Sequence, residues 1–418
     1  MIAHTEPASV GQRMLWLVDR YRGGRGNLNY PLLLRLRGPL DPARLASIVD
    51  ELVARHESLR TTFARRDGLL TQLVHEPGPV PITAVDVEPA TEDQLRTLIR
   101  AEVIDPIDAA VNPLRVTSWS LGPDHQVLCL NAHHLVTDAW SCRVLVEEFT
   151  ALLAGAPLPR PGWSYRHVTR WQRRPSSLER MRTDREYWQG QLGHVRAPDL
   201  PYQPAQDGSA GVRTLPLDVG PADTERLRAL ARAGQTTLFT VLLSLFYRAL
   251  HEQCGDTDLA VASPFANRVR PEVMRTVGFL ANQLVLRTTV EPGEALPALL
   301  ARTARTVGDA LAHQAFPYFL PPAADGDEAD RTVDRVVFQL LPELPDAVRA
   351  GDVEVSVLPP ELASRFDLEL SAVSYRAGLR ILVQYAVHRT GNELAERLAA
   401  GYQDALEQAC LPELRFGT

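Results

Sequence analysis

Two adjacent histidines, His133 and His134, end an apolar run in Val127-Leu128-Cys129-Leu130-Asn131-Ala132-His133-His134-Leu135-Val136-Thr137-Asp138-Ala139-Trp140-Ser141. Histidine is the side chain best suited to moving a proton near neutral pH, and loops fed by rigid strands are where such groups sit. Asp138 stands four residues beyond His134 and can start a helix by accepting its first backbone N–H groups. On spacing alone, the pair fits either proton transfer or a structural or accidental surface placement. A metal centre is unsupported, because no third His, Cys or carboxylate sits at recognisable ligand spacing. A serine hydrolase is disfavoured, because no GxSxG elbow occurs. Cys129, Cys142, Cys254 and Cys410 lack CxxC spacing and read as small buried hydrophobes, with no disulfide framework or zinc site.

The elements that must position this loop can be read from periodicity. Asp41-Pro42 opens a helix, with Asp as N-cap and Pro at the first helical position, and Leu45, Ile48, Val49, Leu52 and Val53 continue it. Strand-like runs follow at 60–63, 69–74 and 82–87, then a helix at 92–104. Runs at 114–121 and 126–130 form a strand pair across the turn-like Gly122-Pro123-Asp124-His125. After Asp138 the period becomes helical through Val144, Leu145, Phe149 and Leu152. A polar, Arg-rich helical stretch covers 165–192 with a break at Pro175-Ser176-Ser177, and 198–211 has linker composition.

The second half alternates in the same way, with strands at 214–217, 259–263, 283–290, 335–340, 353–357, 368–373 and 379–387. Its helices fall at 222–233, 237–251, 296–313 and 392–407, and 321–330 reads as a mobile surface loop. Alternating helices and strands in both halves predict an α/β chain with mixed (α+β) sheets, divided into lobes at 1–175 and 176–418.

Composition agrees with a folded enzyme-sized chain. It has 418 residues, 45% hydrophobic and 23% charged, enough to bury a large core. The formal net charge of -7, with no Lys/Arg run interleaved with aromatics, argues against nucleic-acid binding. The first residues lack a signal-peptide pattern and no apolar run approaches membrane-spanning length, so a cytoplasmic, non-membrane protein is expected.

HHLVTDAWS resembles the HHxxxDG signature of nonribosomal peptide synthetase condensation domains, within the chloramphenicol-acetyltransferase-like superfamily. Further stretches resemble that family's motifs in their expected order. They are GQRMLWLVDR (11–20), RHESLRTTF (55–63), YRHVTRWQ (165–172), NRVRPEVMRTVGFLANQLVLR (267–287), HQAFPYF (313–319), RTVDRVVFQLL (331–341) and SRFDLEL (364–370). Trp140 precedes Ser141, unlike epimerisation relatives, and the histidines are kept, unlike heterocyclisation relatives.

The resemblance implies two chloramphenicol-acetyltransferase-like lobes in a V, a pseudo-dimer with a central tunnel. It implies an acyltransferase that joins a carrier-bound acyl, aminoacyl or peptidyl thioester to an amine or alcohol. His134 would be catalytic, positioning or deprotonating the nucleophile. His133 would hold the loop, and Asp138 would form a buried salt bridge, with Arg268 ahead of Arg60 as partner. Ala139, Trp140, Ser141 and Asn282 would line the tunnel, although Trp140 and Trp16 also suit core packing, Ser141 suits a first helical turn, and Asn282 suits bonding to local backbone. Ala139 replaces the family's glycine, and its methyl would narrow the acceptor side. No cofactor would be bound; a phosphopantetheine arm would arrive on a carrier protein. The chain has no LGGxS-type attachment site and no adenylation motif, so carriers are expected in trans for a free-standing, monomeric protein. Two other readings are a noncatalytic module that recruits a partner such as an oxygenase, and a coenzyme A-dependent acyltransferase.

Overall fold

The computed structural model describes residues 1–21, 28–193, 195–201, 211–317, 335–341, 347–358, 366–375 and 378–411. The proposed 321–330 loop, most of the 198–211 linker and parts of the last three motif stretches lie outside them. In chain order the elements begin β1 (Ile2–Pro7), α1 (Val10–Tyr21), β2 (Asn29–Arg37), α2 (Pro42–Arg55), β3 (Thr61–Arg66), β4 (Leu69–His75), β5 (Ile82–Asp86) and α3 (Glu92–Ile104). Next come β6 (Leu114–Gly122), β7 (His125–His133), α4 (Ala139–Leu153), α5 (Tyr165–Gln172) and α6 (Pro175–Leu192). Then follow β8 (Val212–Val219), α7 (Pro221–Ala233), α8 (Leu238–Cys254), β9 (Asp258–Phe265), β10 (Asn282–Thr289) and α9 (Leu296–Ala312). The last are β11 (Val336–Leu341), β12 (Val348–Ala350), β13 (Val353–Leu358), β14 (Leu368–Tyr375), β15 (Gly378–Ala386), α10 (Val387–Thr390) and α11 (Asn392–Ala409).

The chain forms two compact units. Unit 1 holds Met1–Glu179, Ala266–Ala281 and Leu344–Leu362; unit 2 holds Arg180–Phe265, Asn282–Glu343 and Ala363–Thr418. The helical break expected at 175–177 falls slightly earlier, since Pro175 begins α6. That placement follows from its fixed φ and missing N–H, which the first helical turn does not need.

Unit 1 is built on a six-stranded mixed sheet in the order β12-β13-β2-β7-β6-β5, where only β5 and β6 run parallel. Pleat alternation splits its side chains. Leu32, Leu34, Leu36, Leu128 and Leu130 join α2 and α4 in one core, whereas Leu33, Val127, Cys129 and Trp119 face Leu95 of α3. Asp41 caps α2 by accepting from Ala43 N–H at 3.0 Å. Pro31 lies in the stretch of β2 that β7 pairs with but β13 does not reach, so its missing N–H breaks no second ladder. A three-stranded sheet β1-β4-β3 completes the unit.

Unit 2 carries a six-stranded sheet in the order β10-β9-β11-β14-β15-β8, with β11 parallel to both neighbours. Its core is a packed layer of α7, α8, α9 and α11 on Leu284, Leu286, Phe338, Leu370 and Ile381. Helix α8 starts on a Thr237 cap and ends at Gly255, whose left-handed φ of 74° suits glycine. Both sheets are mixed, which agrees with the α/β reading. Among the described residues no single helix is long and apolar enough to cross a membrane.

Candidate functional site

The histidine loop is the continuation of β7. After His133 the chain makes one 3-10 turn, His134–Val136, and Asp138 then begins α4. Three bonds from other segments pin the turn. His133 N–H donates to Pro113 O at 2.8 Å, His134 N–H donates to Leu28 O at 2.7 Å, and Gln12 Nε2 donates to Leu135 O at 2.9 Å.

The two rings are used in opposite senses. Leu135 N–H donates to His133 Nδ1 at 3.1 Å, so that nitrogen carries a lone pair. His133 is buried and caps the turn with its own side chain. His134 Nδ1 lies 2.7 Å from Thr137 O, and a carbonyl can only accept, so His134 Nδ1 carries the proton. In the neutral ring the basic lone pair of His134 therefore sits on Nε2. Tyr30 stacks on the ring at 4.7 Å between centroids, and Phe279 meets it edge-on at 5.0 Å. The imidazole is thus held in both tautomer and plane, half-buried.

Asp138 is the anchor of the loop. Arg268 approaches through both terminal nitrogens, Nη1 to Oδ2 at 2.5 Å and Nη2 to Oδ1 at 2.9 Å, with each side chain only 2% exposed. The backbone N–H groups of Leu280 and Ala281 donate to Oδ2 at 3.0 and 3.1 Å, and Ser141 N–H donates to Oδ1 at 2.8 Å. Ser141 Oγ donates to Oδ1 at 2.7 Å and accepts from Gly278 N–H at 3.0 Å. Burial alone would raise the carboxyl pKa, but the Arg268 charge and these bonds hold it below the usual aspartate value. Ser141 is therefore more than a first-turn residue, because it joins the loop to the 266–281 segment.

The same segment supplies a support that sequence reasoning left unassigned. Gly278 has φ +152°, and a Cβ there would lie 2.1 Å from Tyr165 Cδ2. Only glycine lets this backbone pass the Tyr165 ring. Tyr165 donates its hydroxyl proton to Phe279 O at 2.5 Å and accepts at 2.8 Å from Ser9 Oγ, which in turn accepts from Gln12 N–H. A connected set thus runs from α1 through Tyr165 to Phe279, which touches His134. Gln12, Tyr165 and Phe279 lay within quoted motif stretches, but nothing local marked them as supports.

The remaining candidates fall elsewhere. Arg60 donates to the carbonyls of Val53, Ala54 and His75, satisfying the end of α2 and β4, and is not the partner of Asp138. Asn282 lies in unit 2, where its amide donates to Gln314 O at 2.9 Å and Phe316 O at 2.7 Å at the end of α9. Trp140 and Trp16 are half-buried at the edge of a core, not inside it. Trp140 donates from its indole nitrogen to Met274 O at 2.8 Å. Ala139 is the first residue of α4 and is not among the positive-φ residues, so its backbone does not call for glycine. The RHESLRTTF stretch proves to be a structural network around buried Glu148, which meets His56 at 2.8 Å, Arg55 at 2.9 Å and Arg275 at 3.0 Å. Among the described residues no group of three or more His, Cys, Asp or Glu could hold a metal ion.

A histidine oriented by a backbone carbonyl thus stands on a mixed-sheet scaffold, in a loop fastened by an Asp–Arg pair. The condensation domain family model matches residues 2–411, and the chain belongs to that family. It is 31% identical over 412 residues to tyrocidine synthase 3 of Brevibacillus parabrevis, covering 96% of this chain but only 6% of that protein. The chain thus spans a small part of the curated synthetases it matches. The condensation domain of the monacolin K polyketide synthase MokA superposes with a TM-score of 0.85 at 19% identity, covering 98% of both chains. The X-domain from teicoplanin biosynthesis superposes with a TM-score of 0.79 at 23% identity, covering 97% of this chain and 96% of that one.

Proposed function

We propose that this chain is a catalytic condensation domain, which moves an acyl, aminoacyl or peptidyl group from a carrier-bound phosphopantetheine thioester to an amine or alcohol. The observation that carries this reading is the bond from His134 Nδ1–H to Thr137 O, which leaves the basic lone pair of the neutral ring on Nε2. In the step, the acceptor's N–H or O–H is oriented on Nε2 while its heteroatom attacks the thioester carbon. The proton passes to the imidazole, the C–S bond breaks, and the departing thiolate recovers a proton from the imidazolium. An amine needs little help from the base, whereas a hydroxyl needs much more. Asp138 takes no proton here, since its oxygens are committed to Arg268, Ser141 and the backbone. The carrier and its arm act as substrates of this domain.

A recruiting module is the second reading, suggested by the teicoplanin X-domain, which shares this fold and is known in complex with OxyB. The test is turnover. A loaded holo carrier should donate, and the same acyl group on a simple small thiol should donate far more slowly, because remote binding positions the reacting carbon. Equal rates from both donors would favour a coenzyme A-type reaction. No reaction with any loaded carrier, together with stable binding of an oxygenase, would favour recruitment.

A further inference from the structure

Most of the buried or half-buried arginines in unit 1 have a carboxylate. Arg268 meets Asp138, Arg55 and Arg275 meet Glu148, and Arg166 meets Glu57. Arg13 on α1 differs. It is half-buried and no ion pair reaches it among the described residues, while its Nε, like those of Arg268 and Arg275, is enclosed without a hydrogen-bond partner. Val10 N–H at the start of α1 donates to Gln172 Oε1 at 3.3 Å, which brings Arg173, the next residue, to the same helix. Burial and then repulsion from Arg173 hold the pKa of Arg13 below the ordinary arginine value. Arg173 is exposed at the end of α5. Arg65 lies 5.8 Å over the ring of Trp16, which is three residues along α1 from Arg13. Three arginines thus gather around one helix, with no ion pair among the described residues, in a chain whose formal net charge is -7. Half-burying the Arg13 cation with no counter-charge costs stability, and an anion bound beside it would offset that cost.

We propose that Arg13 and Arg173, flanked by Arg65, form an anion subsite for the phosphate ester of the pantetheine arm that carries the acyl group. The proposal rests on the acyl-transfer reading above and adds where the arm's charge is held. Guanidinium groups offer planar forks that match phosphate oxygens, and two of them suit a group with several acceptors. The position also fits. Gln12, next to Arg13, bonds Leu135 O beside His134, so the cations lie on the helix that borders the histidine loop yet outside the loop itself. A phosphate sits a pantetheine length from the thioester sulfur, so residues that bind it lie outside the histidine loop.

The full chain is titrated with phosphopantetheine and with pantetheine, following melting temperature and tryptophan fluorescence. Phosphopantetheine should bind about ten- to a hundredfold more tightly, as expected for one or two charged hydrogen bonds. Arg13→Gln and Arg173→Gln should each erase most of that preference. Without ligand, Arg13→Gln should melt no lower than the wild type, because it removes a cation that has no partner. Exposed Arg173→Gln keeps the test valid even if Arg13→Gln folds poorly. Equal binding of the two arms, or a preference that survives both substitutions, overturns the proposal. Competition by a holo carrier protein against coenzyme A then tells which molecule brings the phosphate. Binding is read without turnover, so the subsite can stand if the reaction fails, and the reaction can stand if the subsite fails.

Discussion

Asp138 and Arg268 lie 130 residues apart in sequence and meet through two hydrogen bonds with both side chains almost wholly out of water. The pair fastens the histidine loop to the 266–281 segment. Replacing Asp138 with Ala would strand the guanidinium and three backbone N–H groups, costing about 3–5 kcal/mol. Asp138→Ala is therefore expected to lower the melting temperature and the soluble yield. A calorimetric scan checks it; an unchanged melting temperature with lost turnover would instead give Asp138 a chemical part.

Acid should unfold the protein through the same groups. Burial works against ionising Glu148, but His56, Arg275 and Arg55 hold its pKa below the usual glutamate value, as Arg268 does for Asp138. A carboxyl whose pKa is lower folded than unfolded adds stability above its unfolded value, and that stability is lost as pH falls through the folded value. The melting temperature should hold steady from neutrality to about pH 5 and fall steeply below about pH 4. Asp138→Asn should flatten that fall, a difference readable from melts across the pH series.

Glycine has opposite consequences at two positions. Gly278→Ala would press a methyl into the Tyr165 ring at a positive φ, with a loss of about 2 kcal/mol or more. Gly308→Ala, at an exposed position in the last third of α9 with open space around it, should gain up to about 1 kcal/mol from helix propensity. Paired denaturant titrations should show the two changes moving the midpoint in opposite directions.

Local chemistry made much of the fold readable and left specific gaps. Asp41-Pro42, the 92–104 helix and the β6–β7 pair announce themselves through caps, periodicity and turn residues. Strand β2 went unread because Pro31, Arg35 and Arg37 interrupt its apolar run, although it lies beside β7 in the unit 1 sheet. The pairing of β13 with β2 joins residues more than 300 apart, and no local pattern encodes such a register. The site divides in the same way. His133, His134 and Asp138 are contiguous and legible. The choice of Arg268 over Arg60 came from family order, and the Gly278–Tyr165 contact depends on two backbones passing closely, which appears only in three dimensions.

His134 and Ala139 test the proposed chemistry most directly. The ring of His134 is oriented by Thr137 O, Tyr30 and Phe279, so its removal should affect rate before stability. His134→Ala is expected to cut turnover by about 10²–10⁴-fold, the usual contribution of a general base, with the fold retained. His133→Ala should lower stability at least as much as rate, because that ring caps the turn through Leu135 N–H. Ala139 sits in the first turn of α4 with ordinary backbone, so Ala139→Gly should cost no more than about 1 kcal/mol. If the alanine methyl restricts the acceptor, this variant should accept bulkier amines or alcohols, measured as kcat/KM across an acceptor series. An active enzyme indifferent to His134→Ala would refute the base assignment. An Ala139→Gly profile identical to the wild type would remove the methyl from the account of specificity.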